Sequence, residues 1–240
     1  MRGARAALLC LVICSLGMNA AALSVMPVPD LHHTELHRAA ERCDQERARA
    51  ALARLAPEEL DSRLNRLDRE GYAPLAYAAR GGCLGIVKLL IENGATVDAG
   101  REQHGWTALL HAAGQRHAET VRYLLAHGAD VNVRTGIGKT ALNEATLGLF
   151  FQYGPAGDRS GTIQALLEGG ADVNLRGEYG WTPLIVASLR NDVETGALLI
   201  ASGADISARD DKGNTASSHA RERGEQELLK MLEERAASQE

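Results

Sequence analysis

The stretch GWTALLHAAGQRHAETVRYLLAHGADVN, residues 105–132, has the pattern of two short helices joined by a turn. Thr107 is placed to cap the first helix. Val121, Leu124 and Leu125 recur at the i, i+3, i+4 spacing of one buried helical stripe. Gly128 follows where a helix commonly ends in a left-handed residue. The stretch therefore predicts a helix–turn–helix unit that continues into an extended turn.

Related stretches recur along the chain at nearly constant spacing. Each begins with a glycine, and the steps between these glycines are 34, 33, 42 and 33 residues (Gly71, Gly105, Gly138, Gly180 and Gly213). A helix pair of this size cannot bury its apolar stripe alone, so neighbouring units must stack to bury it jointly. Aromatic residues are only 4% of the chain, which favours small, closely packed helices over a sheet sandwich.

These residues resemble the ankyrin repeat. Residues 105–132 and GWTPLIVASLRNDVETGALLIASGADIS, residues 180–207, match that repeat over their whole length, although the T-P-L-H tetrapeptide of the family is never complete here. The resemblance implies an all-α ankyrin-repeat solenoid with β-hairpin-like fingers between the helix pairs. It covers residues 34–235, divided into unit 1 (34–67), unit 2 (68–101), unit 3 (102–134), unit 4 (135–176), unit 5 (177–209) and unit 6 (210–235).

The two end units and unit 4 depart from the standard pattern. TELHRAAERC, residues 34–43, suits the first helix of a degenerate N-terminal cap, and the polar end of the array suits a C-terminal cap that faces water. Unit 4 has nine extra residues between its helices, in LGLFFQYGPAGDRSG, residues 147–161. Either this is an inserted contact loop carrying Phe150, Phe151 and Tyr153, or the first helix is extended and its Phe side chains fill the core.

The N-terminus has the pattern of an export signal. Arg2 and Arg5 precede an apolar run and a small-residue stretch, with cleavage expected near Ala20 or Ala22. Residues 1–22 are therefore predicted to be a signal peptide of bacterial type, followed by a linker at 23–33, and residues 236–240 a disordered tail. The expected location is the periplasm or the exterior of the cell; an uncleaved membrane anchor is the alternative.

Charge and cysteine content limit the choice of partners and compartment. Residues 1–22 contain two arginines and no acidic residue, so their removal changes the net charge from −5 to −7. The negative net charge of the remaining chain argues against nucleic acid and anionic membranes as partners.

Cys43 and Cys83 remain after cleavage, on what the pattern predicts to be helices of adjoining units. They either form a disulfide or are two small buried apolar residues.

No motif in the sequence predicts chemistry. Gly138-Lys139-Thr140 ends like a phosphate-binding loop, but the first glycine of that loop would fall on Val133. His33 and His37 have a spacing that could bind a metal on a helix, yet no third ligand follows and His37 fills the family's T-x-L-H position. We expect a non-enzymatic protein with no cofactor and no metal; a hydrolase or metal protein is the remaining alternative.

A protein-binding scaffold is the function that the resemblance implies, because ankyrin stacks use their fingers and first helices as a concave recognition face. The partner itself is unidentified, and a toxin or enzyme neutralised by this chain as an immunity protein is a second possibility. Trp and Tyr are common binding anchors, although each Trp ring could instead pack on the neighbouring finger. The predicted contact residues are Tyr72, Arg101, Trp106, His111, Arg134, Phe150, Phe151, Tyr153, Arg176, Tyr179 and Trp181.

Overall fold

The computed structural model describes residues 34–100, 105–148, 157–224 and 226–237. Within these ranges it contains thirteen α-helices and no β-strand. The predictions for residues 1–22 and 23–33 lie outside the described residues. In chain order the helices are α1 (Glu35–Glu41), α2 (Gln45–Ala53), α3 (Pro57–Leu64), α4 (Pro74–Arg80), α5 (Leu84–Glu92), α6 (Ala108–Gly114), α7 (Ala118–Ala126), α8 (Ala141–Leu147), α9 (Arg159–Glu168), α10 (Pro183–Leu189), α11 (Val193–Ala201), α12 (Ala216–Glu222) and α13 (Gln226–Ala237).

The helices form a solenoid of six pairs, with α3 as an extra helix after the first pair. The first helices of the pairs make one row in which each contacts the next, in the order α1, α4, α6, α8, α10, α12. Second helices lie beside one another in the same order, and α2, α5, α7 and α9 contact consecutively. Fully buried leucines such as Leu124 and Leu166 lie in the core between the rows. The all-α repeat solenoid is therefore confirmed.

Helix starts follow the local sequence in most units. Thr140 and Thr182 accept hydrogen bonds from N–H groups in the first turns of α8 and α10, as expected for capping residues. Thr34 and His37 form a reciprocal capping box at α1. The prediction for Thr107 is wrong. Its side chain is completely buried and makes no hydrogen bond to the N–H groups in the first turn of α6.

The fingers of units 4 and 5 are tight turns whose two ends are joined by a backbone hydrogen bond. In unit 4 the N–H of Thr135 donates to the carbonyl of Lys139 (3.0 Å), and in unit 5 Gly177 donates to Trp181 (2.7 Å). Gly138, between Thr135 and Lys139, has φ +84°, which explains the recurring glycine: this position of the turn is left-handed. The fingers therefore have hairpin-like turns without extended β-ladders in the described residues.

A ladder of side-chain hydrogen bonds joins consecutive units at the bases of the fingers. Asn132 Oδ1 accepts the N–H of Asp172 (2.9 Å), and Asn174 Oδ1 accepts the N–H of Asp205 (2.7 Å). The same bond runs from Asp130 to Asp98 (3.0 Å) and from Thr96 to Asn65 (2.7 Å). We call these four bonds the amide ladder. They explain why Asn or Asp recurs at this position of the repeat, because its side chain fixes the register of the next unit.

Unit 4 and the C-terminus differ from the expected boundaries in detail. Helix α8 has the seven residues of the other first helices and ends at Leu147, where Gly148 adopts φ +77°. This helix is therefore not extended, and residues 149–156, with Phe150, Phe151 and Tyr153, lie outside the described residues. Helix α13 continues through Ala237, two residues into the predicted tail, because its buried Leu228 and Leu232 anchor it on the stack.

The two cysteines of the repeat region are joined. Cys43 and Cys83 form a disulfide with their Cα atoms 5.4 Å apart. The expectation that both lie on helices is wrong: Cys43 lies in the turn two residues after α1 ends, and Cys83 is the N-cap residue immediately before α5. In these turns the two Cα atoms lie closer together than packed helix axes, which are about 8–10 Å apart.

Candidate functional site

Two columns of side chains run along the first helices and fingers, one contributed by each repeat. The first column is the residue after each repeat glycine, Tyr72, Trp106, Lys139, Trp181 and Asn214. The second is the residue five positions later, in the first helix, Tyr77, His111, Glu144, Val186 and His219. The aromatic and charged members of these columns in units 2 to 5, together with Tyr179, follow one another along the stack. We call this set the recognition strip: Tyr72, Tyr77, Trp106, His111, Lys139, Glu144, Tyr179 and Trp181.

In the N-terminal half of the strip, the ring of His111 packs against the rings of both Tyr72 and Trp106. Its ring centroid lies 4.9 Å from that of Tyr72 and 5.1 Å from that of Trp106. The residue is only 6% exposed, and burial, with a smaller contribution from the charge of Arg80, lowers the pKa of His111 to about 4. At neutral pH His111 is therefore an uncharged ring. We infer that it positions Tyr72 and Trp106 rather than presenting a large surface of its own.

Lys139 and Glu144 form an ion pair in the middle of the strip. Lys139 Nζ lies 3.1 Å from Glu144 Oε1 and 5.6 Å from the centroid of the Trp106 ring in the preceding unit. Glu144 is 2% exposed, and burial raises its pKa although the charge of Lys139 acts in the opposite direction. The ammonium group of Lys139 thus lies within reach of an aromatic face and pairs with one oxygen of a buried carboxylate.

Tyr179 and Trp181 form the C-terminal half of the strip. Their ring centroids are 5.0 Å apart. Two hydrogen bonds join the finger of unit 5 to the finger of unit 6. Arg176 Nη2 donates to Asp211 Oδ1 (2.9 Å), and the N–H of Asp211 donates to the carbonyl of Tyr179 (3.1 Å). Arg176 also donates from Nε to the carbonyl of Gly180 (3.2 Å). Arg176 is therefore a cross-brace between fingers in the unbound protein.

The finger tips carry two large apolar side chains in water. Ile137 is 59% exposed and Tyr179 is 60% exposed, and they are the two large hydrophobic residues classed as exposed in the described part of the chain. Both occupy the position immediately before the repeat glycine, in consecutive units. Exposed apolar side chains that recur at one repeat position on adjacent fingers mark a candidate contact surface.

The predicted contact residues therefore fall into several groups. Tyr72, Trp106 and His111 form one cluster, and Arg176, Tyr179 and Trp181 form another. Both Trp rings are half-buried against the core, so each packs on its neighbours and still has accessible surface. Arg134 is exposed on the finger of unit 4, where its backbone makes an isolated bridge with Thr140. Arg101, Phe150, Phe151 and Tyr153 lie outside the described residues.

Sequence reasoning missed Ile137, Glu144 and the site role of Lys139. Ile137 could have been found by comparing the residues that precede each repeat glycine, since it and Tyr179 stand out among charged and polar residues there. Glu144 could have been found in the second column, where a carboxylate on an otherwise apolar first helix needs a partner.

The histidine considered as a metal ligand has another role. His37 Nδ1 accepts the N–H of Thr34 (3.1 Å), and its Nε2 donates to the carbonyl of Tyr72 (3.0 Å). Both ring nitrogens are thus used to start α1 and to tie unit 1 to unit 2, and His33 lies outside the described residues. Among the described residues no group of three or more His, Cys, Asp or Glu side chains could hold a metal ion. In the same ranges no helix is both long and apolar enough to cross a membrane.

Comparison with known proteins supports the repeat architecture. The family model described as ankyrin repeats (3 copies) matches residues 9–101, 36–135, 97–149 and 156–239. The ankyrin repeat and SAM domain-containing protein 6 of Mus musculus is 38% identical over 96 residues, 40% of this chain and 11% of that protein. The B-cell lymphoma 3 protein homolog of the same species is 39% identical over 77 residues, 32% of this chain and 17% of that protein.

A third relative, alpha-latrotoxin-Lt1a of Latrodectus tredecimguttatus, is 36% identical over 87 residues, 35% of this chain and 6% of that protein. The chain thus spans less than a fifth of the length of each of these relatives. All three are eukaryotic proteins, so the similarity bears on the repeats and gives no support to the bacterial type. Ankyrin repeats are protein–protein interaction modules, and the family is typically non-enzymatic. With a matching family model over most of its length, the chain belongs to the ankyrin repeat family.

Proposed function

We propose that this protein is a non-enzymatic scaffold that binds a partner protein through the recognition strip and the finger tips of units 4 and 5. The partner would contact Trp106, Lys139 and Trp181 from the finger side and cover Ile137 and Tyr179. Interface cores are typically rich in aromatic residues and surrounded by charged groups, which is the composition of this surface.

The exposure of Ile137 and Tyr179 is the observation that carries this proposal. Leaving these side chains in water forgoes the free energy of burying apolar surface, about 25 cal/mol for each Å². Elsewhere in the described ranges the large hydrophobic side chains are buried or half-buried. A partner that covers the two tips would recover that free energy on binding.

Export is the second part of the proposal. The pattern of residues 1–22 supports it, and so does the Cys43–Cys83 bond, since disulfides persist in oxidising compartments and are rare in the cytosol. N-terminal sequencing of the mature protein should begin at residue 21 or 23. An intact Met1 in protein recovered from the cytosolic fraction would refute export without affecting the binding proposal.

The binding surface can be tested by photo-crosslinking in cells. A photoreactive phenylalanine derivative replaces Tyr179 in one variant and Ile137 in another, and Arg122 in the control. Arg122 is a matched control because it is exposed on the second-helix side, where it pairs with Glu119 at 2.8 Å. We expect a discrete adduct from positions 137 and 179 and none from position 122. Equal labelling at all three positions, or none at 137 and 179, would contradict the proposed surface.

A further inference from the structure

Three arginine side chains come together where unit 4 packs between units 3 and 5. Arg116 follows α6, Arg159 begins α9 and Arg190 follows α10. Burial, together with the charges of Arg159 and Arg190, lowers the pKa of Arg116 to about 10, so Arg116 is still cationic at neutral pH. We call these three residues the arginine cluster. It lies beyond the C-terminal ends of the first helices and is therefore separate from the recognition strip.

Arg116 occupies a backbone position that suits an arginine poorly. Its φ of +63° is in the left-handed region that favours glycine. The equivalent residues of units 1, 2, 5 and 6 are also left-handed (Cys43, Gly82, Asn191 and Gly224). Arg116 is only 4% exposed, and its Nε donates to the carbonyl of Ala145 in the next unit (3.2 Å). The turn thus directs a cationic side chain into the stack.

Two N–H donors of the arginine cluster are buried without an acceptor. Arg116 Nη2 has no hydrogen-bond acceptor among the described residues, although Nε of the same side chain is satisfied. Arg159 Nε is in the same state. Leaving a donor of a charged group buried and unsatisfied is costly. These two atoms therefore indicate a ligand that can accept hydrogen bonds.

One carboxylate faces the arginine cluster. Asp192 pairs with Arg159, and its charge also raises the pKa values of Arg116 and Arg190 against the effect of burial. The same carboxylate caps α11, because it accepts the N–H (3.1 Å) and the hydroxyl (2.9 Å) of Thr195. Arg116 and Arg159 thus carry two positive charges against one negative charge, before Arg190 is counted. The cluster has an excess of positive charge.

The other acidic side chains nearby have different partners. Asp158 caps α9 by accepting an N–H of its first turn (2.8 Å), and Glu194 accepts a hydroxyl of the same helix (2.7 Å). Glu119 pairs with Arg122 (2.8 Å). Residues 148–157, which precede α9 in the sequence, include no acidic residue. An anion from outside the chain would therefore meet donors that these carboxylates leave open.

We propose that Arg116 and Arg159 bind a small, free phosphate-type oxyanion, with Arg190 adding positive charge beside it. A tetrahedral oxyanion can accept hydrogen bonds from Arg116 Nη2 and Arg159 Nε together, because its oxygens point in several directions. Arg159 and Arg190 are partly exposed, so the anion can enter from solvent at these two side chains. The bound anion would link units 3, 4 and 5. This inference goes beyond the scaffold function, and neither depends on the other.

The test is an NMR titration of the whole chain with inorganic phosphate at constant ionic strength and pH 7. The Nε–H signals of the arginine side chains report on the site. We expect saturable shifts for Arg116 and Arg159 and none for Arg122, which is exposed on α7. Acetate, whose two oxygens lie in one plane, should bind more weakly by about tenfold or more. No saturable shift with phosphate, or an equal affinity for acetate, would overturn the inference.

A second probe tests whether the ligand is a free ion. The phosphorylated peptide acetyl-Gly-phosphoserine-Gly-amide carries the same chemical group on a larger molecule. Because Arg116 is almost completely buried, this peptide should bind more weakly than inorganic phosphate. Equal or tighter binding of the peptide would contradict the assignment of a small free anion.

Arg116→Gly separates anion binding from folding. Glycine is already present at the equivalent position of units 2 and 6, so this variant keeps the turn and relieves the left-handed strain. Its affinity for phosphate, measured by calorimetry, should fall by about tenfold or more, whereas Arg122→Gln should bind like the unchanged protein. Arg159→Gln, in which Asp158 still caps α9, should show the same loss. Unchanged affinity in both Arg116→Gly and Arg159→Gln would refute the proposed site.

Discussion

The Cys43–Cys83 disulfide should control the stability of the N-terminal end of the solenoid. The bond closes a sequence separation of 40 residues. In the chain-entropy model, a cross-link of this length lowers the entropy of the open state enough to stabilise the folded state by about 4 kcal/mol. Each unit of a solenoid contacts only its neighbours, so we expect this stabilisation to be concentrated in units 1 and 2.

Hydrogen exchange measures this effect locally. Reduction of the disulfide should lower the protection of amides in α1 and α2 by up to about 10³-fold, which corresponds to the 4 kcal/mol above. Amides in α10, four units away from α1, should keep their protection. The double variant Cys43→Ser, Cys83→Ser is the control, since its exchange should not respond to reductant.

Two results would refute this reasoning. A change of less than tenfold in α1 and α2 on complete reduction would show that the cross-link does not limit the opening of the end unit. An equal loss of protection in α10 would show that the array unfolds as a whole, so that the effect cannot be assigned to one end.

Three further predictions concern single residues. Leu124 is fully buried, so Leu124→Ala should lower the free energy of unfolding, measured by urea denaturation, by about 2–5 kcal/mol; the half-buried Leu125→Ala should cost less. Burial lowers the pKa of His111 from 6.5 to about 4, so the unfolded chain binds a proton first as pH falls. Stability should therefore decrease by about 3 kcal/mol from pH 6.5 to 4, and His111→Leu should not show this decrease. Asn132→Ala removes the hydrogen bonds to Asp172 (2.9 Å) and Gly170 (3.3 Å) and should cost about 1–2 kcal/mol, whereas Asn132→Asp, which keeps the acceptor, should cost less.

The period of the sequence was enough to predict the stacking. Glycine spacing and the apolar stripe are local signals, and they predicted the helix pairs because each pair is a local structure. The missing cap at Thr107 could not be predicted, because Thr140 and Thr182, which do cap their helices, share its repeat position and its burial. The turn positions of Cys43 and Cys83 were also missed, since the ends of short helices vary by a residue or two within an otherwise regular repeat.

The recognition strip was predicted only in part. Trp106 and Trp181 were evident because both tryptophans of the chain share one repeat position. The packing of His111 against Tyr72 depends on contacts between units. The same is true of the Lys139–Glu144 pair, because the aromatic ring that Lys139 contacts belongs to the preceding unit. Contacts of this kind can be recognised in the sequence only when the repeats are aligned and equivalent positions are compared. Even then, the alignment gives the repeat position of a residue but not how exposed its side chain is.

The amide ladder has a consequence for how such a chain can change in length. Its four bonds join residues separated by 31, 32, 40 and 31 positions, so the long interval of unit 4 is bridged by the same bond as the others. The extra residues lie in sequence between α8 and α9, outside the segments that form the amide ladder and the fingers. New segments can therefore be inserted between the two helices of a unit, by mutation or by grafting, without changing the spacing of the fingers that a partner would contact.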